Sequence, residues 1–572
     1  MLTSSIIQYV LFLLAVTLLI KPAGLYLAAV FEGRWTIADP VLRPIERFLY
    51  HLIGVRAGDE MGWKRYTLAF ICFSLVGTLA VYAMLRLQQY LPGGPATSYL
   101  STPITPDLAL NTAISFTTTT TWQAYAGENT MKYWTQILAF VGQNFLAGAA
   151  GLAIGIAFIR GFARRDTSLI GNFWVDLVRS ILWVLLPLSI IGSLLLIWQG
   201  VPMNFRPYTQ VKTTAGDTQI ITQGPVAALE FIEQLGTNGG GFFNVNGAHP
   251  FQNPTPLTNS IEMLGIAVLP ASLTYTFGKM TGRKRAGWAL YWIMVFLFAL
   301  GLVLFDSCER PTPPQMAELH LVGGNMEGKE VRFGIDSSSL TAITTSNGAT
   351  GSTNCMPDSL TPLGAAVPLS NMLLGEIIFG GLGTGLYSMI MIALVGLFMA
   401  GLIVGRTPEY IGKRIGPREM KLVMLFNLAT PIAVLALAAW AVVSQAGLAG
   451  LTTNTGPHGF TEILFAYASC IANNGQSMAG LSGNTPFYNL TTAGAMIVGR
   501  FGLAIPALAL AGLLAAQGRR VKTSGSLPSD SFLFATVVVG SALLVGGLNF
   551  FPALAMGPVI EHFLMSSAHG LF

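Results

Sequence analysis

The chain has 572 residues, of which 52% are hydrophobic and only 10% are charged, with a formal net charge of +5. Soluble domains carry about 25% charged residues, so this composition excludes a water-soluble globular protein and indicates an all-α polytopic membrane protein that meets lipid over most of its surface. No basic stripe interleaved with aromatics is present, which excludes nucleic acid as a partner.

Residues 1–20 are apolar with no basic residue ahead of Lys21, so they read as a retained first span rather than a cleaved leader. Ten spans are predicted, at roughly 5–30, 66–90, 131–158, 174–199, 260–280, 286–306, 372–404, 421–445, 489–516 and 532–560. The connections between them alternate in charge. One set is basic: Arg34 to Arg65, Arg160 to Arg165, Lys279 to Arg285, Arg406 to Lys421, and Arg519 to Lys522. The other set is nearly free of Lys and Arg, with none in 92–130 or 446–486. The positive-inside rule assigns the basic set to the cytoplasm and both termini to the outside.

Each of the four outer connections has the same grammar. A short apolar helix is predicted to open at Pro106-Asp107, at Gly224-Pro225, at Asp336 and after Pro457. Each is too short to span a bilayer and suits a re-entrant segment. Each leads into a small, polar, glycine-rich stretch, and these recur at intervals of roughly 110–125 residues: Thr117–Thr121, Thr237–Gly241, Ser346–Gly351 and Ala472–Gly475. A half-helix aims its partly negative C-terminal end at the stretch that follows, which favours a cation there. Hydroxyls, amides and glycine carbonyls without an acidic ring suit a weakly hydrated monovalent ion, K+ over Na+, and not Mg2+. The candidate ion ligands are Thr118, Thr119, Thr120, Thr121, Thr237, Asn238, Gly239, Gly240, Thr350, Gly351, Asn473, Asn474 and Gly475.

Other features carry less. Arg500 lies within an apolar span and is expected to face a cavity or partner, as a fixed charge below the ion ligands or as an anchor to carbonyls. Glu376, near a span's outer end, lines the ion path or caps a helix, and Gly380–Gly385 is a candidate mid-membrane break. Arg406 and Glu409 are expected to form a cytoplasmic contact surface. Gly323 to Glu330 approaches a P-loop but places Glu330 where Ser or Thr must reach Mg2+, and no aspartyl-phosphate motif DKTG is present. This chain is therefore not expected to hydrolyse ATP and needs no catalytic cofactor. Cys72 and Cys470 read as packing residues, and Cys308 and Cys355 as unpaired thiols in an outer loop where a disulfide is permitted. His249 and His458 read as loop hydrogen-bonders.

The segments LALNTAISF to TWQAYAGE (Leu108–Glu128), LGTNGGGFFNVNGAHPFQNPT (Leu235–Thr255), NMEGKEVRFG (Asn325–Gly334), GEIIFGGLGTGLY (Gly375–Tyr387), GRTPEYIGKRI (Gly405–Ile415), TGPHGFTEILFA (Thr455–Ala466) and VGRFG (Val498–Gly502) cover most of the chain. Through them it resembles the A subunits of the bacterial Kdp complex, a P-type ATPase for K+ uptake. The resemblance implies ten helices with four helix–pore–helix units around a pseudo-fourfold axis. It also implies K+ as transported ion, a separate ATP-hydrolysing B subunit, a C subunit and a small F subunit, and the bacterial inner membrane. Residues 1–572 then form one membrane domain, with units at roughly 66–158, 174–280, 286–404 and 421–516 and outlying spans at 1–31 and 532–560. Two departures stand out: TTTTT replaces an Asn-richer first stretch, and the third stretch carries one additional residue near Asn347–Ala349. An autonomous channel or ion-coupled symporter of this fold, and a membrane scaffold without a pathway, are the alternatives.

Overall fold

The computed structural model describes residues 3–91, 104–405, 408–518 and 527–567. Arg406, Arg519, Arg520 and Lys522 of the basic connections lie outside the described residues, and with Arg406 half of the proposed contact surface. Ten described helices are long and apolar enough to cross a membrane. In chain order the main helices are α1 (Ser4–Phe31), α2 (Asp39–Leu52), α3 (Trp63–Arg86), α4 (Pro106–Thr117), α5 (Thr135–Ala163), α6 (Phe173–Trp198), α7 (Val226–Leu235) and α8 (Pro256–Met280). They continue as α9 (Lys284–Glu309), α10 (Gly334–Asn347), α11 (Pro362–Leu373), α12 (Thr384–Val404), α13 (Pro417–Val443), α14 (Gly456–Ile471) and α15 (Pro486–Ala515). The last span runs from Phe532 to Ser566 with a kink at Gly557, and is divided here into α16 (Phe532–Leu554) and α17 (Ile560–Ser567). Among the described residues, strands are confined to three small antiparallel pairs, the longest a hairpin pairing Thr209–Lys212 with Thr218–Ile221.

Four helices open on the same dipeptide. Thr105-Pro106, Thr255-Pro256, Thr361-Pro362 and Thr485-Pro486 each place a threonine at the N-cap, where its hydroxyl accepts from the N–H three residues on, and a proline at the first helical position, where the missing N–H costs nothing.

Burial divides the spans into two sets. The second span of each predicted unit is the more enclosed: α5, α8, α12 and α15 are 89%, 83%, 67% and 67% buried, whereas the other six lie between 17% and 50%. The outer set presents Leu, Ile, Val and Phe outwards, as a lipid-facing surface requires. The inner set carries the buried polar residues Gln143, Asn144, Thr274, Asn489, Thr492 and Arg500, which are expensive in hydrocarbon and belong against other protein or a cavity.

Nine predicted spans match their helices to within several residues. The tenth does not: 372–404 is helical only from Thr384, and α11 ends at Leu373. Between them the chain turns repeatedly into left-handed conformations, at Gly375 (φ 80°), Glu376 (60°), Phe379 (48°) and Gly383 (97°). The break therefore begins earlier than the Gly380–Gly385 segment alone indicated. All four cysteines are free; Cys355 and Cys470 are buried, but Cys72 lies exposed on α3 instead of packing inward. Lys329 of the P-loop-like segment is fully buried, with Nζ 2.7 Å from Glu309 Oε2, and holds a structural ion pair.

Candidate functional site

Four short helices, α4, α7, α10 and α14, stand in the four outer connections. Each packs against helices of its own unit: α4 against α3 and α5, α7 against α6 and α8, α10 against α9 and α11, α14 against α13 and α15. Each also touches the unit before it in a cyclic order: α4 meets α15, α7 meets the first turns of α5, α10 meets α8, and α14 meets α11. At the N-terminus of α4, Asp107 accepts from Asn489 Nδ2 at 2.8 Å, and hydrogen bonds from Thr105 and Asn489 hold its carboxyl below the usual carboxylate range.

All four helices end alike. Their C-caps Thr118, Gly236, Gly348 and Ala472 have φ of −88°, −79°, −77° and −69° with ψ of 4°, −4°, 0° and −4°. The backbone then alternates in hand. The next residue is left-handed (Thr119, Thr237, Ala349, Asn473), the one after is not (Thr120, Asn238, Thr350, Asn474), and the third is left-handed again (Thr121, Gly239, Gly351, Gly475). Alternation of this kind turns successive peptide planes the same way, with N–H groups on one side and carbonyls on the other. The hydrogen bonds bear this out. Thr120 N and Thr121 N both donate to Ser115 O, and Asn238 N and Gly239 N both donate to Glu233 O. Thr350 N donates to Thr345 O, and Asn474 N to Ser469 O. The first of these bonds in each stretch reaches back five residues, so the third stretch keeps the register of the other three, with no additional residue near Asn347–Ala349: Thr345 to Thr350 spans what Ser115 to Thr120 spans.

These stretches close on one another. A β-carbon on Gly239 would fall 1.1 Å from Thr350 O, one on Gly351 2.0 Å from Asn474 O, one on Gly475 2.1 Å from Thr120 O, and one on Gly240 2.3 Å from Thr121 Cγ2. The contacts run from the second stretch to the third, third to fourth, fourth to first and first to second, which is a ring. Only glycine fits such an approach. Polar side chains tie the ring laterally: Asn473 Nδ2 donates to Thr120 Oγ1 at 2.9 Å, Asn474 Nδ2 to Thr345 O at 3.0 Å, and Gln123 Nε2 to Gly241 O at 3.0 Å.

On one side of the ring lies a small cavity of about 10 Å3, on the order of one water molecule. Thr119, Thr237, Ala349 and Asn473, the first left-handed residue of each stretch, all line it, together with Glu376 and Arg500. Arg500 Nη1 donates to Thr119 Oγ1 and Nη2 to Ala147 O, both at 3.0 Å. The broken segment between α11 and α12 covers the cavity, and Leu382 N donates to Thr237 Oγ1 at 2.7 Å. Glu376 thus sits beneath the ring, not near a span's outer end as its sequence position indicated. Thirteen candidate ligands from four distant segments are brought together; Thr118 and Gly240 stand at the two ends of the alternating stretch. Ala349, Leu382 and Thr384 fall within the stretches Ser346–Gly351 and Gly380–Gly385 but are not among the candidate ligands. The five-residue offset from the short helix identifies Ala349, but only once the helix ends are known.

Residues 10–563 match the family described as KdpA, potassium-transporting ATPase A subunit. A Methylobacterium nodulans protein named potassium-transporting ATPase potassium-binding subunit is 50% identical over 555 residues, 97% of this chain and 96% of its own. Proteins of the same name from Bradyrhizobium diazoefficiens and Granulibacter bethesdensis are 48% and 49% identical over 561 and 557 residues, covering 98% and 97% of both chains. A match of this length and identity, over a chain whose quarters meet in one ring, means that it belongs to the potassium-transporting ATPase A subunit family.

Proposed function

We propose that this chain is the K+-binding, K+-translocating subunit of an ATP-driven potassium importer, and that the ring is its selectivity filter. The observation that carries the reading is the closure of four equivalent stretches, each alternating in hand, around one centre. Their carbonyls lie on the side away from the short helices, where they can replace the hydration shell of a monovalent cation without adding net charge. The names of the relatives support K+ as the ion and a K+-transporting ATPase as the assembly. On this reading the four pore units occupy roughly 66–158, 174–280, 286–404 and 421–516 about a pseudo-fourfold axis, and 1–31 and 532–560 lie outside them. The ring faces outward, both termini are outside, and the membrane is the bacterial inner membrane. ATP is hydrolysed by a separate P-type B subunit, with C and small F subunits completing the complex. Arg500 supplies a fixed positive charge beneath the filter that opposes free ion leak, and Glu376 lines the onward path.

Gly239→Ala in the assembled complex tests this. The added methyl cannot coexist with Thr350 O, so apparent K+ affinity is expected to fall on the order of tenfold or more, while Gly494→Ala, which meets nothing within 4 Å, leaves it unchanged. Wild-type K+ affinity in Gly239→Ala contradicts the assignment.

A further inference from the structure

Away from the ring, four ionisable side chains from three separate parts of the fold meet at the N-terminal end of α14. His458 and Glu462 lie one turn apart on one face of α14, Asp358 comes from the turn Pro357–Ser359 ahead of α11, and Glu561 from α17. His458 Nδ1 is 2.6 Å from Glu561 Oε1, while Nε2 is 3.0 Å from Asp358 Oδ1 and 3.7 Å from Glu462 Oε1. One ligand atom each from Asp358, His458 and Glu462 falls within 4.8 Å of the others.

Three facts point to a missing cation. First, Glu462 is completely buried, and its Oε2 has no hydrogen-bond partner among the described residues, although Oε1 accepts from Asn454 Nδ2 at 2.9 Å. A buried carboxylate oxygen left bare is costly. Second, three carboxylates surround a single imidazole. Even a protonated His458 leaves two negative charges uncompensated, and among the described residues no lysine or arginine is ion-paired with any of the three. Third, the histidine is oriented as metal-ligating histidines are, with one ring nitrogen held by a carboxylate so that the other faces the remaining ligands. Separations of 3.0 and 3.7 Å bracket the roughly 3.3 Å between ligands of a tetrahedral ion bound at 2.0–2.1 Å.

We propose that Asp358, His458 and Glu462 bind a zinc-class divalent cation, with Glu561 orienting His458. Imidazole among the ligands selects against Mg2+ and Ca2+, which prefer all-oxygen shells. The bound ion joins the third quarter, the fourth quarter and the C-terminal helix at one point. It thereby anchors the start of α14, whose far end delivers Asn473 and Asn474 to the ring. The site does not depend on the ring's being a K+ filter. The rival occupant is a proton on Nε2, which makes His458 an imidazolium bridging the carboxylates.

Zinc binding to the purified, chelator-stripped complex decides between them. Equilibrium dialysis with zinc alone is expected to give one tightly held ion per chain that is lost in His458→Ala and in Glu462→Gln. Glu561→Gln, which leaves all three ligands in place, is expected to weaken binding about 10- to 100-fold. X-ray absorption at the zinc edge should show one imidazole with oxygen donors and no sulfur. Equal zinc uptake by wild type and His458→Ala, or sulfur ligation by the free cysteines, would overturn the site, the first leaving the proton as occupant; unchanged affinity in Glu561→Gln would overturn the orienting role of Glu561.

Discussion

At the scale of single residues, the ring is held in conformations its side chains disfavour. Thr119, Thr121 and Thr237 are β-branched and left-handed, with φ of 61°, 50° and 51°. Each costs about 1–3 kcal/mol and persists only where its surroundings over-determine it. Here the paired N–H bonds into the short helix and the lateral bonds to Asn473 and Arg500 do so. Arg500 combines two roles, bracing Thr119 and placing charge beneath the ring. If the charge opposes leak, Arg500→Gln raises ATP-independent K+ flux in proteoliposomes, whereas Arg500→Lys, which keeps the charge but loses the forked geometry, leaks far less. A Gln variant as tight as wild type would remove the charge from the account.

His249 makes the loop behind the second stretch sensitive to acid. Its ring stacks on Phe243 with centroids 3.7 Å apart, and its unprotonated Nδ1 accepts from Phe251 N at 3.1 Å. Burial, and then the nearby Arg332, push it down from 6.5 to about 4. The unfolded loop therefore takes up a proton more readily than the folded one, so the stabilisation is complete above about pH 6.5 and declines as pH falls towards 4. Amide exchange over residues 243–253 is expected to accelerate across that window, and less so in His249→Gln. Gln252 Nε2 ties this loop to Glu233 Oε1 at 3.0 Å, and Glu233 O in turn receives the N–H groups of the second stretch.

Among the elements, Glu309 at the end of α9 does the most to fix the third outer connection. Its Oε2 accepts from Lys329 Nζ at 2.7 Å and Asn325 Nδ2 at 2.9 Å, and its Oε1 from Thr361 N at 2.8 Å and Thr361 Oγ1 at 2.6 Å. Glu309→Ala leaves a buried lysine unpaired and is expected to cost about 3–5 kcal/mol, read as a lowered melting temperature of the detergent-solubilised protein. Melting unchanged from wild type would mean that the connection does not depend on this ion pair. The spans were legible in sequence because apolar length alone specifies a membrane helix. Four short helices were legible because proline or aspartate opens them and small polar residues end them. The break before α12 is legible only in part: LLGEIIFGG is apolar apart from Glu376, so hydropathy carries little dip where the helix stops at Leu373. Its position depends on left-handed backbone at Gly375 and Glu376, which composition does not encode. Cys72 was misjudged for a related reason, since apolar sequence does not distinguish a lipid-facing side chain from a packed one.

Over the whole molecule, the four quarters differ in sequence yet agree in backbone. TTTW, TNGG, ATGS and NNGQ follow the four caps, and no residue is common to all four at any position. What they share is a five-residue reach from the short helix and an alternation of hand, which is why a search for repeated letters finds little and a search for repeated grammar finds all four. Closure of the ring, and the placing of Glu376 and Arg500 in one cavity, are tertiary facts that no single quarter contains. Beneath the ring the quarters differ: among the described residues only the third unit has its second span broken, and only the fourth contributes an arginine to the cavity. The proposed filter holds a dehydrated monovalent cation at the centre of the ring, and anomalous scattering from Rb+ in a structure of the assembled complex tests this most directly. A peak on the common axis, within reach of Thr120, Asn238, Thr350 and Asn474, is the predicted result. A ring devoid of anomalous signal at saturating Rb+, with signal elsewhere in the chain, would contradict it.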